Sequence, residues 1–304
     1  MNGLSEVYLN RTAAFLPNRP VGNDEMETLL GAIGGVPSRV RKMILRANGI
    51  RSRHYAIDPV TRRPTHTGAE LAACAVRGLF AQGLRPEQVS ALACATSYPD
   101  QIMPGQGVMV HGLLPEIPPC EVTTAAGVCV AGMAAMLQAY RGVRCGAHRH
   151  AVAVAAENAS AVMRGERFAA DRNWAQTDAA IGFEKDFLRW MLSDGAGAAE
   201  LSNRPLSGSL CWKIHWIELF SYAGELPVCM YAGGDFNPQG EFQGFKQYTA
   251  ADSSDKDLMA VKQNVKLLNT EIIAHTVEKP LRRLMEKYGL RPQDIQWFLP
   301  HYSS

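Results

Sequence analysis

Cys129 and His301 are the two residues whose types and settings could do chemistry together. Cys129 lies in Glu121-Val122-Thr123-Thr124-Ala125-Ala126-Gly127-Val128-Cys129-Val130-Ala131-Gly132-Met133, a β-prone piece that turns through small residues into a helix-prone run ending near Tyr140. A thiol at a helix start meets unpaired backbone N–H groups and the positive end of the helix dipole, which favour the reactive thiolate. Gly127 and Gly132 tolerate tight packing or unusual φ. The stretch reads as a cysteine nucleophile on a strand-to-helix elbow. It also reads as an inert Cys in an Ala/Gly-rich core, since Cys is among the most buried residue types. His301 follows Phe298-Leu299-Pro300, read as a short apolar strand that stops at a Pro and delivers a His. A base must approach a thiol in space, not in sequence.

These residues sit in a chain of 304 residues with 47% apolar and 20% charged side chains, proportions of a soluble globular protein. A formal net charge of +2 gives no electrostatic case for nucleic acid or an acidic membrane surface. Seven Cys without paired spacing fit free thiols in a reducing compartment, and no secretory signal precedes them, so the expected location is cytoplasmic. The uncharged run from Val122 to Tyr140 has the length of a bilayer span, but its Ala, Gly and Thr content suits a buried helix, so no membrane span is expected.

The elements that must position Cys129 alternate between strand and helix. A strand is expected from Val7 to Leu16, then a helix from Asn23, its N-cap, and a basic helix from Ser38 to Asn48. Ala69 to Phe80 reads as a helix, and Val89 to Thr96 and Ala151 to Ala156 as buried strands of a parallel sheet. This order implies βαβ units. Arg164 to Asp186 is a long polar insertion. Trp190 to Leu201, with Ser193-Asp194-Gly195-Ala196-Gly197-Ala198 inside it, is a Gly-bearing turn into a strand that lacks the lysine and spacing of a phosphate loop, so no nucleotide site is expected. Cys211 to Leu219 alternates like a strand, Gly233 to Asp255 is irregular, and Asp257 to Tyr288 is helical with a break or second start at Pro280.

One motif occurs twice. Gly83-Leu84-Arg85-Pro86-Glu87-Gln88-Val89 is echoed by Gly289-Leu290-Arg291-Pro292-Gln293-Asp294-Ile295, each after a helix and before an expected strand, as an internal duplication would give. Cys145, His148 and His150 could suggest a metal, but no fourth ligand is near and Arg141, Arg144 and Arg149 oppose a cation; no metal is expected. The same basic cluster could dock an acidic carrier protein. Glu157 and Asp194 read as carboxylates that hold turns.

Several pieces in order resemble the β-ketoacyl-acyl carrier protein synthase III group of the thiolase-fold condensing enzymes. They are Ala14-Phe15-Leu16-Pro17-Asn18-Arg19-Pro20-Val21-Gly22-Asn23, Asn48-Gly49-Ile50-Arg51-Ser52-Arg53, Ala95-Thr96-Ser97-Tyr98-Pro99-Asp100, the Cys129 elbow, Glu157-Asn158-Ala159-Ser160, Ser193 to Ala198, and Leu299-Pro300-His301. The resemblance implies an α/β, thiolase-like duplicated five-layered α-β-α-β-α fold. Residues 1–205 would be the half with the nucleophile, and residues 206–304 an incomplete second half with the His. It implies a homodimer, Cys129 as nucleophile, His301 as a polar partner, acyl thioesters on acyl carrier protein or coenzyme A as substrates, and no cofactor. The family's Asn partner lies beyond Ser304, so the chain is expected to be C-terminally truncated. The Pro300-His301-Tyr302-Ser303-Ser304 ending resembles secondary-metabolism ketosynthases, among them those leading to dialkylresorcinols and aryl polyenes.

The expected reaction is a Claisen-type condensation of an acyl group on Cys129 with a second acyl or β-ketoacyl thioester. Two alternatives stand beside it: acyl transfer or hydrolysis without a carbon–carbon bond, and a non-catalytic partner subunit.

Overall fold

The computed structural model describes residues 4–33, 35–168, 186–249 and 258–301. Its contacts group the chain into two compact units: Met1–Gly22 with Ser52–Ala161 and Ser193–Leu219, and Asn23–Arg51 with Val162–Leu192 and Phe220–Ser304. This is a division by contact, of another kind than the expected halves 1–205 and 206–304, which divide the chain at one point along its length.

The first unit is built on a six-stranded sheet. In chain order its elements are β1 (Tyr8–Phe15), α1 (Gly68–Ala81), β2 (Ala91–Thr96), α2 (Gln106–Gly112), β3 (Glu121–Ala126), α3 (Ala131–Arg144), β4 (His150–Glu157), β5 (Gly195–Ser202) and β6 (Trp212–Lys213). The sheet order is β3-β2-β4-β5-β1-β6. β2 runs parallel to both β3 and β4, while β5 is antiparallel to β4 and β1. Every residue of β2 is buried, as a central strand covered on both faces requires.

The period-two alternation of β2 sorts its side chains between two cores. Leu92 and Cys94 join Val152, Val154 and α1 residues Leu71, Val76 and Leu79 on one face. Ala91, Ala93 and Ala95 join Ala151, Ala153 and α3 residues Ala131, Ala135, Ala139 and Val143 on the other. The second face is lined with Ala, so α3 lies close to the sheet; a Cβ on Gly132 would stand 3.4 Å from the Ala155 Cβ. Each large aliphatic side chain buried in the first core contributes about 1.5–3 kcal/mol. α1 begins where Thr67 and Glu70 form a reciprocal capping box.

The second unit has a smaller core of Ile33, Met163, Phe168, Leu188 and Ala260. Arg189 is buried there, donating to the Met163 carbonyl at 2.9 Å and lying 4.9 Å from the Trp190 ring centroid. The expected basic helix is present as Arg41–Asn48 and closes at Gly49 with φ +67°. Within the expected helix Asp257 to Tyr288, the described residues are helical only from Val265: Lys262–Gln263 pairs instead as a short strand with Met230–Tyr231. Helices Val265–Ile273 and Lys279–Tyr288 follow, joined by a π-helical segment, neither with a buried residue.

Four further expectations need correction. Asn23 caps no helix: the helix is Met26–Leu30 without a side-chain cap, and Asn23 donates to the Ile50 carbonyl at 3.0 Å. Gly233 to Asp255 is not wholly irregular, because Gly234–Phe236 and Phe242–Gly244 pair as a hairpin whose Phe236 and Phe242 pack edge-to-face with Tyr231. Cys211 to Leu219 contributes only Trp212–Lys213 as strand, and Trp212 is exposed. No strand forms at Phe298-Leu299-Pro300; Phe298 and Leu299 are exposed, and among the described residues no strand pairs with them. Most of the polar insertion, residues 169–185, lies outside the described residues.

Candidate functional site

The carboxyl ends of β2, β3 and β4 lie side by side because these strands run parallel, and such strand ends form the usual binding crevice of α/β sheets. β3 ends at Ala126, the chain turns through Gly127 to Val130, and α3 starts at Ala131. Val130 is the N-cap residue and offers no side-chain cap, so the first N–H groups of α3 are left without that partner. Cys129 is exposed in this turn, one residue before the cap. It is therefore not a packed core cysteine. Cys94 is: it is buried on β2, and burial pushes its thiol up to about 12.

The electrostatics of Cys129 differ from the sequence expectation. Its thiol is raised, not lowered: partial desolvation is the largest cause, a backbone hydrogen bond opposes it, and the Glu157 carboxylate adds a smaller rise. Burial of the thiol, more than the neighbouring carboxylate, is what outweighs the helix start.

Glu157 is the residue whose part in this site the sequence did not reveal. At the end of β4 its carboxylate accepts from the Ser97 backbone N–H at 2.7 Å, and its Oε1 lies 2.7 Å from Ser97 Oγ. Ser97 Oγ also lies 3.1 Å from the Val128 carbonyl, one residue before the nucleophile candidate. A hydroxyl has one proton, so both contacts are hydrogen bonds at once only when Glu157 carries a proton of its own. Burial is the main cause that raises the Glu157 carboxyl, opposed by hydrogen bonds from Ser97, Thr96 and Tyr98. The signal available in sequence was an acid ending an apolar strand directly beside the elbow strand.

Asp194 does hold a turn. It accepts from Ala56 N at 2.6 Å and Ser160 N at 2.8 Å, within the first unit. Cys145, His148 and His150 do not converge. Cys145 Sγ donates to the Gly142 carbonyl, His148 Nε2 pairs with Glu121 at 3.0 Å, and His150 Nδ1 pairs with Glu200 at 2.9 Å. Among the described residues no cluster of three or more His, Cys, Asp or Glu could hold a metal ion. The basic cluster also divides, because Arg144 bonds the Ser5 carbonyl. A Cys–His contact not flagged by the sequence joins Cys120 Sγ and His111 Nε2 at 3.9 Å, and burial raises that thiol.

His301 is exposed and belongs to the second unit, whereas Cys129 belongs to the first. Among the described residues no helix is long and apolar enough to cross a membrane.

No protein-family model matches the chain. It is similar to the β-ketoacyl-[acyl-carrier-protein] synthase III of Sphingopyxis alaskensis, with 26% identity over 303 residues, covering 97% of this chain and 76% of that protein. Among solved structures it is similar to AbyA1, a tetronic acid condensing enzyme (20% identity, TM-score 0.67, covering 96% of this chain and 76% of that one). It is also similar to a variant of OleA from Xanthomonas campestris (16% identity, TM-score 0.66, covering 99% of this chain and 77% of that one). The chain thus has a mixed α/β, thiolase-like fold, with a central mixed sheet, of the kind found in condensing enzymes.

Proposed function

We propose that the protein is a ketosynthase that forms a carbon–carbon bond by Claisen-type condensation, with Cys129 as the nucleophile. The observation that carries this reading is the exposed thiol on a strand-to-helix turn at the carboxyl ends of parallel strands. The relative named as a β-ketoacyl synthase III and the fold shared with condensing enzymes support it.

In the first half-reaction the Cys129 sulfur attacks an acyl thioester. A new C–S bond forms, the carrier thiol leaves and takes a proton, and backbone N–H groups at the elbow offset the oxyanion charge. Acyl carrier protein or coenzyme A is the carrier. In the second, the enolate of another thioester attacks the acyl carbonyl, the C–C bond forms, and Cys129 is released. His301 hydrogen-bonds the second thioester's carbonyl as enolate charge develops. We place the reaction in polyketide or fatty-acid-derived secondary metabolism of the dialkylresorcinol type. The edge position of β3 supports a homodimer, since an edge strand presents N–H and C=O groups that a second copy can pair. The free thiols support a cytoplasmic location.

The test is mass spectrometry after incubation with acyl thioesters. An acyl mass on the Cys129 peptide is expected, and Cys129→Ala abolishes it with the fold intact. Alkylation of Cys129 should rise only towards alkaline pH, and Glu157→Gln, which removes the neighbouring charge, should move that rise to lower pH. His301→Ala should spare acylation and cut condensation about 10²–10³-fold. Equal loss in both steps favours acyl transfer or hydrolysis, and acylation elsewhere with Cys129 unmodified rejects the nucleophile.

A further inference from the structure

A cavity of about 670 Å³ opens at the opposite end of the same sheet, lined wholly by residues of the first unit. It takes His150 from the start of β4, Glu200 from near the end of the antiparallel β5, and Arg11 from β1. Cys129 follows the other end of the parallel strands, so this cavity is separate from the elbow. Its volume lies in the range of small-molecule sites.

The lining is unusual in charge. Glu200 is completely buried and engaged by Arg11 and, at 2.9 Å, by His150. That leaves Arg85, Arg149 and Arg204, whose guanidinium groups make no hydrogen bond or ion pair with any described residue. With Arg11 and Glu200 cancelling, three positive charges stand unbalanced around one concavity, more than the net charge of +2 carried by the entire chain. Scattered exposed arginines need no explanation. Like charges converging on one cavity repel, and a bound anion relieves them. Guanidinium forks match phosphoryl oxygens two at a time. The lining holds no Phe, Tyr or Trp on which a nucleobase could stack, so recognition falls on the charged groups alone.

We propose that this cavity is a binding site for a compact anion bearing two or more phosphate groups, gripped by Arg85, Arg149 and Arg204. It is independent of the chemistry at Cys129. The elements that frame the cavity, β1, β4 and β5, are the same strands that carry the sheet, so occupancy should also stabilise the first unit.

The test is calorimetric titration of the intact protein with pyrophosphate, with orthophosphate and citrate as comparisons. Expected are one saturable site per chain for pyrophosphate, at least tenfold weaker orthophosphate and citrate, and affinity that falls steeply with salt. Arg149→Ala combined with Arg204→Ala should weaken pyrophosphate at least tenfold, and Arg85→Ala should do so on its own to a smaller extent. Both variants change exposed side chains, so an unchanged melting curve without ligand certifies the fold. Cys129→Ala should bind pyrophosphate as the parent does, whatever becomes of its acylation. No saturable pyrophosphate binding, citrate binding as tightly, or full binding by the double variant would each overturn the site.

Discussion

After α1 the chain turns left-handed at Gly83 (φ +91°), and after Lys279–Tyr288 it does the same at Gly289 (φ +64°). In each copy the next Leu N–H closes back on the helix, Leu84 to the Leu79 carbonyl and Leu290 to the Met285 carbonyl. Each Pro then opens a single 3₁₀ turn, Pro86–Gln88 and Pro292–Asp294. Its last side chain bonds back to the Arg N–H, Gln88 to Arg85 and Asp294 to Arg291. From there the two copies part. Leu84 and Val89 are buried and lead into β2, paired on both sides. Leu290 and Ile295 are half-buried and lead to exposed Trp297, Phe298 and Leu299. Near-identical local chemistry makes near-identical turns; whether the next residues become a strand depends on neighbours that donate and accept hydrogen bonds.

The largest test of that contrast is in the leucines. Leu84→Ala opens a void in the core under α1 and should cost about 2–5 kcal/mol in denaturant unfolding. Leu290→Ala, at the same place in the second copy, should cost about 1 kcal/mol or less. Equal losses would show that Leu290 is packed in solution and would break the comparison.

Next comes buried against exposed charge. Glu200 in the first unit is fully buried; burial works against its charge, but hydrogen bonds from His150 and Arg11 prevail and hold the carboxyl below its ordinary value of 4.5. A carboxyl depressed in the folded state stabilises fully above that unfolded value, and the benefit is lost as pH falls through the lower folded one. Glu200→Gln should therefore cost about 1–3 kcal/mol at pH 7 and flatten the acid limb of the stability profile. In the second unit Glu225 pairs with Lys279 at 2.8 Å on the surface, and Glu225→Gln should leave the unfolding midpoint unchanged. A loss at Glu225 matching that at Glu200 would remove the distinction between the units.

The same contrast explains which features were legible in the sequence. β2 and β4 are built on the apolar runs 91–95 and 151–156, and α1 opens on a capping box, so their residues specify them locally. The elbow was legible for the same reason: small residues between a β-prone piece and a helix-prone one. Phe298-Leu299-Pro300 also reads as a strand and forms none among the described residues, because pairing is not a local property. The Gly234–Phe236 hairpin was missed although Asn237-Pro238-Gln239-Gly240 is turn chemistry, with Gly240 at φ +81°. The raised Cys129 thiol was also illegible. A helix start can be read from sequence, but the burial that raises the thiol comes from packing, and the smaller push of Glu157, 28 residues later, reaches the site only through sheet register.

The smallest effect probes the turns themselves. Gly83 and Gly289 both lie at positive φ, where a Cβ costs about 1–2 kcal/mol. Neither site adds a clash, since a Cβ at Gly83 would meet only Arg11 Nη2 at 3.8 Å and one at Gly289 nothing within 4 Å. Only backbone conformation then separates the two substitutions. Gly289 sits near the centre of the left-handed well and Gly83 well outside it, so Gly289→Asn should be almost neutral and Gly83→Asn should keep a cost of about 1 kcal/mol. Hydrogen exchange read peptide by peptide reports each copy separately. Faster exchange of the α1 C-terminus in Gly83→Asn, with the 279–288 peptide unchanged in Gly289→Asn, is the expected result. Equal acceleration in both would mean that the two turns are held by the same strain, and that the copies differ only in the pairing of the residues beyond each turn.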